Sequence, residues 1–173
     1  MTLLIRPLLT IAAVTMLLPC YASNTYQQAD EFIAESFEGQ SPQAKAILLT
    51  DDLKQQIENI LQHAYSGSRI RYWQRDQRTA WTLDEIGKTK PITTGIVIEN
   101  NRIRTLKVLA FRESRGWEVK HTFFTKQFID ASLIKNNKLD RSIDGISGAT
   151  LSVRALTKQA RIALLLHKTI TSQ

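Results

Sequence analysis

A short segment near the C-terminus combines residue types that suit phosphate chemistry. Residues 143–153 read Ile-Asp-Gly-Ile-Ser-Gly-Ala-Thr-Leu-Ser-Val. Asp144 and Gly145 predict a turn, because glycine tolerates a positive φ. Ser147 or Gly148 is then expected to cap a helix, and capping is the common role for such a serine. The segment therefore predicts a tight turn that leads directly into a helix.

The first turn of that helix would include Ala149 and Thr150. Free backbone amides and the positive end of the helix dipole favour an anion there, above all a phosphate. Small neighbouring residues would let a bulky group approach the backbone. From the residues alone, the hydroxyl groups could either cap the helix or carry chemistry.

A second polar cluster, Glu113-Ser114-Arg115-Gly116, follows a predicted strand. A carboxylate, a hydroxyl and a guanidinium group beside a flexible glycine could bind a polar ligand. They could equally form a charged turn, and the residues alone leave this open.

Other candidate sites are weaker. His63, His121 and His167 are far apart in sequence, and no pair has a metal-ligand spacing, so no metal site is predicted. The segment Arg69–Arg75 alternates basic and aromatic residues, as in a surface for single-stranded nucleic acid. A half-buried strand gives the same alternation, and we favour the strand and predict no nucleic-acid partner.

The first 22 residues are predicted to be a signal peptide. Arg6 precedes an apolar run that is too short to span a bilayer, and small side chains follow near Ala22. Lipid attachment at Cys20 is the alternative, but Pro19 precedes the cysteine where a small residue is expected. Cleavage after Ala22 would remove the only cysteine, and with it any thiol nucleophile or disulfide. We therefore expect a periplasmic or other extracytoplasmic protein.

The net charge of the chain bears on its possible partners. The net charge is +7 and the pI is about 9.7; without the predicted signal, 22 basic and 16 acidic residues remain. Outside the cytoplasm, such a charge suits an anionic membrane surface or an acidic partner, although a solvated surface is the more common explanation than either.

The rest of the chain predicts an α+β fold. Residues 23–66 show helical spacing in two pieces, and residues 67–173 are predicted to form one domain. In that domain, Ile70–Trp73, Ala80–Leu83, Ile92–Ile98 and Ile103–Phe111 read as strands. Their short connections require antiparallel hairpins, and Leu106, Val108 and Ala110 are expected to share one face. Apolar residues at helical spacing predict a last helix from about Ala149 to His167.

The segment Asp144–Thr150 resembles the flavinylation signature Asp-x-x-(Ser/Thr)-Gly-Ala-Thr of the FMN-binding domain family. That family includes domains of the sodium-pumping NADH:quinone reductase and of the Rnf electron-transfer complex. The wider chain is similar to small exported members of the family. The supporting segments are Arg71–Trp73, Trp81–Lys88, Pro91–Gly95 and Arg112–Gly116.

The resemblance implies that Thr150 receives FMN through a phosphodiester bond, installed from FAD by a flavin transferase. Asp144, Gly145, Gly148, Ala149 and Thr150 would form the flavinylation motif. The other implied contacts of the cofactor are polar groups and packing residues. The polar groups would come from Ser147, Gly148, Ala149, Glu113, Ser114, Arg115, Thr93 and Thr94, and the weaker packing candidates are Trp81, Trp117 and Ile92.

Three functions follow from these expectations. The first is an electron carrier between membrane-bound or periplasmic redox partners, since no nicotinamide site or acid–base pair is apparent. The second is a flavin-dependent reductase of a small anionic substrate held by Arg112 or Arg115. The third is a flavin-free binding or accessory protein in which Ser147 only caps a helix.

Overall fold

The computed structural model describes residues 24–172. The predicted signal peptide, residues 1–22, lies outside the described part of the chain. No helix within residues 24–172 is long and apolar enough to cross a membrane.

The centre of the fold is a five-stranded antiparallel sheet whose strands follow each other in chain order. The predicted hairpins are confirmed, because each of the last four strands pairs with its neighbour in sequence. The strands are β1 (Lys45–Leu48), β2 (Arg69–Arg75), β3 (Arg78–Ile86), β4 (Pro91–Glu99) and β5 (Arg102–Phe111).

Helices precede and follow the sheet, as the α+β prediction requires. Two helices near the N-terminus are α1 (Ala29–Ser36) and α2 (Asp51–Leu61), and the chain closes with α4 (Thr150–Thr171). Between β5 and α4 lie a short helix α3 (Thr122–Thr125), the strand pair β6 (Leu133–Ile134) and β7 (Lys138–Leu139), and three 3₁₀ turns at Trp117–Lys120, Lys126–Phe128 and Lys135–Asn137.

Strand β1 separates the two N-terminal helices, so residues 23–66 are not helical throughout. The strand pairs with β2 at the edge of the sheet, with Ile47 opposite Ile70. Only Ile47 of its four residues is buried. A run this short, with one buried side chain, has no periodicity that a sequence pattern could reveal.

The sheet is covered on both faces. Helices α2 and α4 pack on one face and form the larger core, which includes Ile57, Ile96 and Leu156. On the other face, α1 places Phe32 directly over Gly95, where a Cβ atom would lie 2.6 Å from the ring. Gly95 therefore lets α1 approach the sheet closely.

A β-bulge at Leu109 corrects one prediction for β5. Thr94 pairs with Val108, but the preceding residue Thr93 pairs with Ala110, so Leu109 is the extra residue. The bulge reverses the alternation of side chains beyond this point. Leu106 and Val108 face α4, whereas Ala110 lies on the opposite face, and the prediction that all three share a face is wrong.

Candidate functional site

The start of helix α4 presents Thr150 to solvent. Thr150 is the first residue of the helix and is exposed, while the preceding Ala149 is buried. The N-cap is Ala149, which has no side-chain hydroxyl, and no side chain caps the helix. In the first backbone hydrogen bond of the helix, the Val153 amide donates to the Ala149 carbonyl oxygen at 3.0 Å. The amides of the first turn are therefore available to an external acceptor.

Ser147 does not cap the helix, so that prediction is wrong. The Ala149 amide donates to the Ile146 carbonyl oxygen at 2.9 Å, which closes a turn before the helix begins. Gly148 adopts a φ of +80° within this turn. The positive φ reverses the chain between Ser147 and the first helical amides, and Ser147 stays exposed.

The turn leaves open space around its glycines. A Cβ atom added at Gly145 or at Gly148 would meet nothing within 4 Å. A hydrogen bond anchors the segment to the preceding loop, because the Asp144 backbone amide donates to Gln127 Oε1 at 2.7 Å. A fixed backbone with free volume beside an exposed hydroxyl can accommodate a large group attached to Thr150.

The loop after β5 packs against the start of α4. Gly116 has a φ of +86°, and a Cβ atom there would lie 2.6 Å from Ser152 Oγ and 3.3 Å from Ala149 Cβ. Only glycine combines this conformation with this contact at low cost. The fold thus brings together two segments that are more than 30 residues apart in sequence and that both carry predicted site residues.

Glu113 holds this loop to the turn between β3 and β4. Its Oε1 atom accepts hydrogen bonds from the amides of Lys88, Thr89 and Lys90 at 2.5, 2.6 and 2.8 Å. Burial opposes ionisation of the carboxyl group, but the amide donors outweigh it and lower the pKa of Glu113. Gly87 lets the carboxylate approach, since a Cβ atom there would lie 3.0 Å from Oε1.

The other polar candidates fall into three environments. Ser114 and Arg115 are exposed, and Arg115 has no ion-pair partner among the described residues. Thr93 lies on the face of β4 away from α4, where its hydroxyl donates to Asp84 and accepts from Arg112 at 2.8 Å. Thr94 is fully buried beneath α4, and in the described part of the chain its hydroxyl has no hydrogen-bond partner. The structure brings Ser114 and Arg115, but neither threonine, into the loop beside α4.

Two of the aromatic and apolar packing candidates are core residues. Trp81 is fully buried, stacks on Tyr72 at 5.1 Å and donates from Nε1 to Thr79 Oγ1, and Ile92 is also fully buried. Neither can pack against a bound ring without opening the core.

Trp117, in contrast, follows Gly116 directly and is 47% exposed. It forms an edge contact with His121 at 5.3 Å, and His121 stacks on the exposed Phe123 at 6.1 Å. An open aromatic surface therefore continues from the loop beside Thr150.

An ion-pair cluster around the buried carboxylate of Glu85, on the other side of α4, was not foreseen from the sequence. Glu85 is 5% exposed and accepts from Lys158 Nζ at 2.8 Å and from His63 Nε2 at 3.1 Å. The pKa of His63 is raised although burial lowers it. The largest cause is the hydrogen bond between His63 Nδ1 and the Ala64 carbonyl oxygen, and the contact with Glu85 adds to it. These residues come from three separate elements, so their spacing in sequence carries no signal.

Comparison with known protein families agrees with this geometry. The family model of the FMN-binding domain matches residues 87–165, which run from the turn held by Glu113 to the last third of α4. A search of curated proteins finds no match to the chain. The matched segment contains Thr150, the turn before it and the loop that packs against it. The chain therefore matches the FMN-binding domain family over residues 87–165, and this match supports FMN as its cofactor.

Proposed function

We propose that the protein is an exported flavoprotein in which FMN is attached to Thr150 through a phosphodiester bond and relays electrons between redox partners. The observation that carries the proposal is the combination at the start of α4. The threonine hydroxyl is exposed, the amides of the first turn have no capping side chain, and the preceding glycines leave open space.

The residues of the turn fit a phosphodiester at this position. Its negative charge would face the free amides and the positive end of the α4 dipole, which is the usual setting for a bound phosphate. Ser147 would be free to donate to the phosphate, since the helix does not use its hydroxyl as a cap. Asp144 would be recognised by the transferase, or it would hold the turn through the hydrogen bond from its backbone amide to Gln127 Oε1.

Attachment requires an activated hydroxyl, which the chain does not itself provide. In the proposed step, Thr150 Oγ1 bonds to the FMN phosphorus of FAD, the pyrophosphate P–O bond breaks and AMP leaves. A base of the transferase accepts the hydroxyl proton, because a threonine hydroxyl is too weakly acidic to react unaided.

When bound, FMN supplies a group that accepts and donates electrons. The protein contributes position: Glu113 fixes the neighbouring loop, and Gly116 holds that loop against Ala149 and Ser152. Covalent attachment would keep the cofactor in place outside the cytoplasm, where no free FMN could replace it. The positive net charge would favour docking to an acidic membrane-bound partner or to an anionic membrane surface.

Intact mass spectrometry after co-expression with a flavin transferase tests the attachment. We expect a gain equal to one FMN less one water, visible flavin absorbance, and complete loss of both in Thr150→Ala. Ser142→Ala is the matched control, since it removes an exposed hydroxyl just before the motif and should retain the added mass. An unchanged mass gain in Thr150→Ala would refute the assignment of Thr150. A colourless protein in the presence of transferase and FAD would favour the flavin-free alternative.

One observation supports a second candidate, a flavin-dependent reductase of a small anion. Arg115 is exposed beside the start of α4 and lacks an ion-pair partner within residues 24–172. Arg112, by contrast, already donates to the Pro91 carbonyl oxygen and to Thr93. Rapid mixing of the reduced protein with small acceptors separates the two functions. Fast multiple turnover of a small acceptor that depends on Arg115 would favour the reductase over the electron carrier.

A further inference from the structure

A groove of about 540 Å³ runs along helix α4 on the side opposite the Gly116 loop. Val153, Arg154 and Thr157 line it and follow Thr150 at spacings of three, four and seven residues, which places all four on one side of the helix. The groove therefore begins about one helical turn from the proposed flavin anchor. Its volume lies within the usual range of small-molecule sites, about 300–1,000 Å³.

The walls of the groove combine apolar and cationic side chains. Apolar contacts come from helix α2, from β7, from the segment before the turn and from α4 itself. Five basic residues also line the groove, and its lining contains no carboxylate. The apolar residues are Ile60, Leu139, Ile143 and Val153, and the basic ones are Lys138, Arg141, Arg154, Lys158 and Arg161.

Nearby carboxylates neutralise only part of this charge. Asp140 pairs with Arg141 at 3.0 Å, and Glu85 pairs with Lys158 at 2.8 Å. Arg161 donates to a backbone oxygen, that of Asn137, and burial lowers its pKa. Lys138 and Arg154 have no ion-pair partner in the described part of the chain. Three cations thus face the groove without a compensating carboxylate.

We infer that this groove is a second ligand site, separate from the flavin anchor, for a small organic anion with an apolar body. The unpaired cations would hold a carboxylate, sulfonate or phosphate, and the apolar wall would bury an aromatic or alkyl portion. A concave site of this size suits a soluble molecule better than a membrane surface. A bound anion would lie about one helical turn from Thr150.

Fluorescence titration with anilinonaphthalene sulfonate tests the site on the full chain without flavin, so the result does not depend on attachment at Thr150. We expect saturable binding at one site and much weaker binding of neutral phenyl-naphthylamine, which has the same apolar body. Arg154→Gln should weaken binding of the sulfonate about two- to fivefold, the range for one partly solvated charge contact. Lys168→Gln, a change of an exposed cation on the same helix outside the groove, should leave it unchanged.

Three further measurements can overturn the inference. Amide chemical shifts should move along the groove, at residues 138–143 and 153–161; shifts confined to residues 112–123 would place the dye on the exposed aromatic surface instead. Binding that disappears on flavinylation would assign the groove to the flavin itself. If the protein binds phosphatidylglycerol vesicles more tightly than the soluble dye, and this binding depends on Arg154, the groove is a membrane-binding surface instead.

Discussion

The contact between Gly116 and the start of α4 can be tested by adding a single methyl group. In Gly116→Ala, the new Cβ atom would lie 2.6 Å from Ser152 Oγ and 3.3 Å from Ala149 Cβ, at a φ of +86°. The positive φ costs roughly 1 kcal/mol for a residue with a side chain. Overpacking against the buried Ser152 costs about 1–3 kcal/mol more. The expected total is therefore about 2–4 kcal/mol of lost stability.

A second substitution separates these two costs. Ser152→Ala removes the atom nearest to the new methyl group, so the overpacking cost should fall while the backbone strain remains. We expect Gly116→Ala/Ser152→Ala to recover about 1–2 kcal/mol relative to the sum of the two single changes, because residues in contact couple by about 0.5–3 kcal/mol.

Urea unfolding of the four proteins in this double-mutant cycle gives the coupling directly, and thermal unfolding should agree at about 2–4 °C per kcal/mol for a chain of this size. If the losses of unfolding free energy in the two single variants simply add up in the double variant, Gly116 does not pack against Ser152. On the proposed function, Gly116→Ala should also slow flavin attachment, and the double variant should restore part of the rate.

Two further predictions concern ionisable groups. Glu113→Gln should cost about 1–3 kcal/mol at neutral pH, since the amides of Lys88, Thr89 and Lys90 lose an ionised acceptor. Because the folded pKa of Glu113 is lowered, its stabilising effect is present above its ordinary pKa and is lost as pH falls through the folded value. Urea unfolding should therefore show a smaller cost at pH 3, and an equal cost at both pH values would contradict this. Burial lowers the pKa of His167 to about 4, so the unfolded state should gain protons first as pH falls from about 6.5, which destabilises the fold by roughly 3 kcal/mol by pH 4. His167→Gln should flatten that part of the stability profile, and an unchanged slope would assign it to other groups.

Patterns that repeat over many residues could be read directly from the sequence. The hairpins of β2 to β5 and helix α4 follow from alternation and from helical spacing, and the structure confirms them. The motif before Thr150 could be placed at a helix start for the same reason, because two glycines precede a long apolar periodicity.

Features that depend on a single residue could not be read in this way. The bulge at Leu109 changes which face Ala110 occupies, yet residues 108–111 are an unbroken apolar run in which no alternation marks the extra residue. The capping role expected of Ser147 fails because the positive φ of Gly148 delays the helix by two residues. In both cases one backbone conformation decides the outcome, and composition does not reveal it.

Polar contacts in the middle and at the end of α4 determine how its first turn is presented. Gln159 Nε2 donates to the carbonyl oxygens of Leu83 on β3 and Ile92 on β4, at 3.0 and 2.8 Å. Two turns later, His167 Nδ1 lies 2.8 Å from Thr79 Oγ1 in the core. Apolar packing alone tolerates small rotations of a helix, whereas two directional contacts on adjacent strands do not. Because these contacts fix the rotation of α4, Ala149 must face the Gly116 loop and Thr150 must face solvent. The buried half of the helix thus sets the direction of the hydroxyl at its exposed end.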